Sequence, residues 1–286
     1  MNTMKVIILL ASLSGILLVV GYFIARAKGV VIALVIALIM NFGGYWYSDR
    51  IVLSLYDAKP VTRAEAPLLY DAVESLAAKA KIPIPKIYVI PSGAPNAFAT
   101  GRNEAHAAVA LTSGILRILN RDELEGVIAH ELSHIKNKDI LIGTMTATIA
   151  TAVVLLSRWA MFFGGSEEGS AIGTVAVAII APIAATLIQM AISRSREYDA
   201  DAGGATVSGK PEALASALAK LSKSAAVKPM DANPSTAHMF IVNPLSSGTI
   251  MTLFSTHPPL EKRIEKLMKM KTPPELRHPC ADVLSC

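Results

Sequence analysis

Four apolar runs set the terms for this chain. Residues 6–24, 30–47, 140–157 and 171–192 contain no Asp, Glu, Lys or His, and Asn41 and Gln189 are their most polar side chains. Each run is long enough as a helix to cross the ~30 Å hydrocarbon layer of a bilayer. The first, with Lys5 ahead of it, resembles a signal peptide. Its apolar core is longer than that of most signal peptides, however, and no small-residue cleavage site follows it; Ala-Arg-Ala-Lys-Gly leads straight into the second run. The runs therefore predict a mainly α, membrane-integral fold with four transmembrane helices in two hairpins, residues 1–48 and 140–192. Trp46 and Tyr47 suit the interface where the second helix leaves the bilayer. Gly143, Ala147 and Thr151 put small residues on one face of the third, as expected where membrane helices touch. The remaining segments, 49–139 and 193–286, are expected to build one soluble domain from both sides of the second hairpin.

The flanking charge orients the molecule. Lys136 and Lys138 precede the second hairpin, and Arg194 and Arg196 follow it. Basic residues favour the cytoplasmic side, which places the soluble segments and both termini in the cytoplasm. Arg26 and Lys28, in the turn of the first hairpin, weigh the other way. The 52% hydrophobic content and mean hydropathy of +0.47 agree with membrane spans. A net charge of +5 without a dense basic run argues against nucleic acid and suits an anionic bilayer surface. Cys280 and Cys286 make no disulfide framework; they read as a reduced, mobile tail or, with His278, as a zinc site.

Between the spans the pattern changes. Residues 64–81 have helical apolar spacing and end at Pro83 and Pro85. Residues 86–90, 96–100 and 107–112 read as three short strands of a small sheet. Helices are expected at 113–119, 194–205, 211–223 and from Pro258-Pro259 to about 270, and residues 224–250 read as a long mobile loop.

The chemistry sits in residues 120–139. His130 and His134, four apart on a helix, aim two imidazoles at one point, and Glu131 lies one step round. This H-E-x-x-H arrangement holds a zinc ion next to a carboxylate general base. Asn120 can cap the helix, and Asp122 and Glu123 suit its positive end. A catalytic zinc needs a third ligand. His134 is six residues before Ile140, roughly 9 Å along a helix, and Glu197 is five residues after Ile192, roughly 7.5 Å. If those spans form an antiparallel hairpin, both groups stand at similar height, so Glu197 is the expected third ligand. Asp201, one turn on, is placed to hold a ligand histidine. The competing reading pairs Glu197 and Asp201 with Arg194 and Arg196 as surface ion pairs.

Taken together, HELSH, REYDADA after a membrane hairpin, PNAFATG upstream and FSTHPPLEKRI downstream resemble the HtpX-type membrane zinc metalloproteases. These are gluzincins related to the CAAX-processing endoproteases. The resemblance implies one Zn2+ on His130, His134 and Glu197, Glu131 as base, and Asp201 behind a ligand. It also implies that Asn96, Ala97, Phe98, Ala99 and Thr100 form an edge strand along which a substrate peptide lies. His257 is implied as a transition-state donor; Tyr198 is the rival for that role, and without the resemblance His257 reads as a surface residue ahead of a helix. The expected partners are the lipid bilayer and misfolded or damaged membrane proteins or unfolded polypeptides. A transporter is disfavoured by spans that lack ionisable groups, a silent zinc scaffold by the presence of Glu131, and an intramembrane protease by Arg121, Asp122, Glu123 and Glu125 just before the motif.

Overall fold

The computed structural model describes residues 2–147, 194–227, 230, 232, 236–242 and 258–270. Helix α1, Asn2–Leu55, is broken at Ala25 and Arg26, where Arg26 takes φ +51°. The break turns the chain back on itself. Asn41 Nδ2 donates to Ser14 Oγ at 2.9 Å, and a Cβ on Gly21 or Gly29 would run into the other arm's backbone. The first two apolar runs thus form the expected hairpin, with glycines where the arms come closest. Val31, Leu38, Ile39 and Phe42 are exposed on the second arm. Among the described residues, one helical segment, Ala25–Leu55, is long and apolar enough to cross a membrane. Residues 148–193, which contain most of the second expected hairpin, lie outside the described residues.

The second arm does not stop at the interface residues Trp46 and Tyr47. It runs on through the polar Ser48-Asp49-Arg50 to Leu55, and Val52, Leu53 and Tyr56 are buried against the domain. A change from apolar to polar side chains marks where a helix leaves lipid; helical hydrogen bonding continues because the next turns find a protein face to bury.

The sheet has strand order β1-β2-β4-β3, with β1 Lys59–Pro60, β2 Lys86–Ile90, β3 Ala97–Gly101 and β4 Ala107–Thr112. β2 and β4 run parallel, whereas β1 and β3 are antiparallel to their neighbours. Strands 86–90 and 107–112 match the expected ranges, and β3 is shifted one residue from 96–100. Alternation along β4 explains how the sheet is buried on both faces. Ala107, Val109 and Leu111 face helices α2 (Pro67–Ala80), α4 (Arg121–Lys136) and α6 (Pro211–Val227), while Ala108 and Ala110 face the end of α1 and Phe240. The short α3, Ser113–Ile118, links the sheet to α4. α5, Arg194–Ser208, and α7, Leu260–Met268, pack beside α4 and α6.

Two further expectations are corrected. The metal-motif helix does not run unbroken into the third span: α4 ends at Lys136, Lys138 adopts φ +60°, and a new helix starts at Ile140. Residues 236–242, expected in a mobile loop, are buried, with Phe240 wholly enclosed by the rings of Tyr56 and Phe98 at centroid distances of 5.2 and 5.1 Å. A single large aromatic side chain in a polar stretch can anchor it once a ready-made pocket exists.

Candidate metal centre

Helix α4 is held from its first turn. Asn120 Oδ1 accepts from the Glu123 amide and Glu123 Oε2 accepts from the Asn120 amide, each at 2.9 Å, a reciprocal cap. Glu123 also accepts from Ser216 at 2.7 Å and Lys220 at 2.8 Å, which ties the cap to α6. The following turns carry His130, Glu131 and His134 into the interior, with His130 and Glu131 1% and 2% exposed.

Helix α5 lies against α4 at very short range. A Cβ on Gly204 would stand 2.8 Å from the His130 amide nitrogen, and one on Gly203 2.8 Å from Ser133 Oγ. The two glycines let the helices touch backbone to backbone, and that contact brings Glu197 and Asp201 up to the histidines. His130 Nε2 is 3.9 Å from Glu197 Oε2, and His134 Nε2 is 3.6 Å from Glu197 Oε1. One ligand atom from each of His130, His134 and Glu197 lies within 4.8 Å of the others. Tetrahedral zinc with bonds near 2.0–2.1 Å would set its ligand atoms about 3.3 Å apart, so small side-chain movements close this set around an ion.

The opposite ring nitrogens fix which edge each imidazole presents. His130 Nδ1 is 3.0 Å from Asp201 Oδ1, and His134 Nδ1 is 3.3 Å from Asp139 Oδ2. With a carboxylate beside each Nδ1, Nε2 is the ring nitrogen that would face a cation once the imidazole is neutral. Asp201 thus lies beside His130. Asp139 was not anticipated, because along a continuous helix it would sit on another side from His134. The turn at Lys138 brings it back, with its own amide donating to the His134 carbonyl at 3.0 Å.

Arg263 was also missed. It is wholly buried, donates through Nε and Nη2 to the two oxygens of Asp201 at 2.8 Å each, and through Nη1 to the Ile241 carbonyl at 3.1 Å. Its Nη1 is 3.3 Å from Glu197 Oε2. The available signal was an arginine on the stripe Leu260, Ile264, Leu267, where an aliphatic residue would be expected.

The electrostatics follow from this packing. Burial raises the Glu131 carboxyl to about 7 in the metal-free site, with nearby Glu197 adding to the rise. Burial works against charge on His134, but Asp139, Glu197 and Glu131 together hold it up at about 9. Burial lowers His130. Burial also opposes charge on Asp201, yet Arg263 and His130 keep its carboxyl below the usual range.

A cleft opens on this cluster, lined by Ala99, Glu131, His134, Asp139, Arg196, Glu197 and His238 among others. Of the expected substrate strand, Ala99 borders the cleft and its backbone hydrogen-bonds Glu131. β3 is an edge strand, but its edge is not free along its length: the Ala97 carbonyl accepts from the Ile241 amide at 3.0 Å. Phe98 points into the core beneath the sheet, and Thr100 is wholly buried beside Thr144. Tyr198 points away from the cleft, its ring under Lys266 Nζ at 3.4 Å. His257, His278, Cys280 and Cys286 lie outside the described residues.

Comparison with known proteins gives the same reading. The model of peptidase family M48 matches residues 63–271. A protease HtpX homolog from Desulforapulum autotrophicum is 53% identical over 275 residues, covering 93% of this chain and 89% of that protein. Another, from Pyrococcus furiosus, is 55% identical over 271 residues, covering 92% and 94%. The crystal structure of S. mikatae Ste24p shares the fold, with a TM-score of 0.51 at 18% identity; the match covers 93% of this chain and 65% of that one. An H-E-x-x-H helix, a glutamate on a neighbouring helix and these relatives agree, and the chain belongs to peptidase family M48, as a metalloprotease of the HtpX type.

Proposed function

We propose that this metalloprotease is a zinc endopeptidase that works at the cytoplasmic face of a bacterial inner membrane and cleaves misfolded or damaged membrane proteins. The observation that carries the reading is the convergence of His130, His134 and Glu197 beside the buried Glu131. Two neutral imidazoles and one carboxylate are the donor set of catalytic zinc with an open fourth position. When bound there, zinc supplies an acidified water and polarises the scissile carbonyl.

The protein's own groups do the rest. Glu131, buried beside the cluster, would accept a proton from a water held there and return it to the leaving amine. Asp201 and Asp139 hold the ligand rings in place through their Nδ1 nitrogens. Ala99 offers the edge at which an extended peptide meets the site, and His257 would supply the donor to the developing oxyanion. Main-chain recognition of this kind tolerates many side chains, which fits substrates defined by loss of fold. The lipid-facing surface of α1 supports membrane residence, and four spans with both termini in the cytoplasm fit the charge pattern around the second hairpin.

The deciding experiment purifies the full chain in detergent with chelator, adds zinc, and follows casein digestion and self-cleavage. Glu131→Ala should abolish hydrolysis and retain the metal, whereas Glu197→Ala should lose metal. Full, tight zinc in Glu197→Ala would move the third ligand elsewhere, and retained cleavage by Glu131→Ala would remove it as base.

A further inference from the structure

The candidate substrate edge is already partly used by the chain itself. Backbone groups of successive strand residues point alternately to either side. The Asn96 carbonyl accepts from the Thr112 amide at 3.0 Å, so it faces β4. The Ala97 carbonyl therefore faces outward, and its partner there is the Ile241 amide at 3.0 Å. Next to it, Asn96 Nδ2 donates to the Val242 carbonyl at 2.8 Å and Asn96 Oδ1 accepts from the Val242 amide at 3.4 Å. Residues 241 and 242 thus lie on the edge of β3 as an added strand would.

This segment is wedged in place. Phe240 is wholly buried between Tyr56 and Phe98, and Arg263 Nη1 holds the Ile241 carbonyl at 3.1 Å. The other end of β3 is also buried, but among the described residues its cover is by side chain and not main chain: the Gly101 amide donates to the Thr144 hydroxyl at 3.3 Å, which also lies 3.0 Å from Thr100 Oγ1. Between the two lies Ala99, which borders the cleft with its backbone hydrogen-bonded to Glu131, a bond that an added peptide would exchange.

We infer that residues 240–242 are a fixed stop in the substrate cleft: a peptide adds to β3 from Ala99 toward Gly101 and cannot extend past Ala97. This rests on the reading of β3 as the substrate edge. It makes recognition one-sided. On the side of the scissile bond that faces the stop, main-chain pairing ends within about two residues, the Ala97–Ala99 repeat of roughly 7 Å. On the other side, pairing continues by displacing the Thr144 hydroxyl.

The test uses full-length, zinc-loaded protein in detergent and two ladders of fluorogenic peptides. One ladder is lengthened residue by residue on the N-terminal side of a fixed scissile bond, the other on the C-terminal side. The expected result is a kcat/KM that plateaus within about two added residues in one ladder and keeps rising in the other. A rise in both ladders overturns the stop while leaving strand addition intact. No dependence in either ladder overturns strand addition itself, and the stop with it. A second arm uses Ile241→Pro, which lacks the amide that bonds Ala97, checked for unchanged Tm and zinc content. Its short ladder should regain length dependence; a plateau unchanged in that folded, zinc-loaded variant overturns the assignment of the stop to this segment.

Discussion

Replacing Arg263 by Met gives the sharpest test of how the metal site is built. The guanidinium is completely buried, donates twice to Asp201 at 2.8 Å, and lies 3.3 Å from Glu197. Met fills a similar volume but leaves two buried carboxylates without their counter-charge. Breaking a buried pair from one side costs about 3–5 kcal/mol, far more than the ~0–1 kcal/mol of an exposed pair. For a domain of this size each kcal/mol lowers Tm by about 2–4 °C, so a fall of roughly 6–20 °C is expected. The assay is thermal unfolding of metal-free protein in detergent, comparing Arg263→Met, Asp201→Asn and the double variant. Because the two residues share one interaction, the double variant should lose less than the sum of the singles, by roughly 1–3 kcal/mol. Its zinc affinity should stay low, since His130 no longer has a carboxylate on Nδ1. A cost for Arg263→Met below about 1 kcal/mol, the level of a hydrated pair, would refute the buried network.

Other expectations follow from the same geometry. Asp139→Ala should weaken zinc binding about 10–100-fold in chelator competition, because His134 loses the carboxylate on its Nδ1; wild-type affinity would deny Asp139 that role. Gly204→Ala must push α5 off the His130 backbone, costing about 1–3 kcal/mol and separating Glu197 from the histidines. Unchanged Tm and zinc affinity would contradict that close approach. The folded-state pKa values of Glu131 and His134, about 7 and about 9, both lie above their ordinary values of 4.5 and 6.5. Each group therefore favours the fold most below its ordinary pKa and loses that contribution as pH rises through the folded value. These two groups should lower the stability of metal-free protein between about pH 5 and about pH 9 by on the order of 3 kcal/mol each, partly offset by His130, whose lowered pKa adds stability as pH rises through its ordinary 6.5; a Tm that rises across this window would refute the coupling.

What the sequence determined by itself is whatever depends on neighbours along the chain. The first two apolar runs are helical because unbroken apolar length favours helix, and one of them, Ala25–Leu55, is long and apolar enough to cross a membrane. Asn120 and Glu123 close a cap three residues apart, and His130 and His134 share a face because one helical turn separates them. The strands of the sheet were legible as short apolar runs between turn residues, and Glu197 was the expected third ligand from its distance to the fourth apolar run, which lies outside the described residues. Tertiary structure alone decided the rest. Arg263 meets Asp201 across 62 residues and Asn96 meets Val242 across 146. No local pattern encodes such partners, since spacing along the chain sets which face a side chain shares and not which distant residue it meets. Asp139 reaches His134 only through one residue in a left-handed conformation, which helix periodicity cannot register. The helix past Trp46 and the anchored Phe240 follow the same rule: a segment that looks polar or irregular by itself becomes ordered when distant residues supply the surface it buries against.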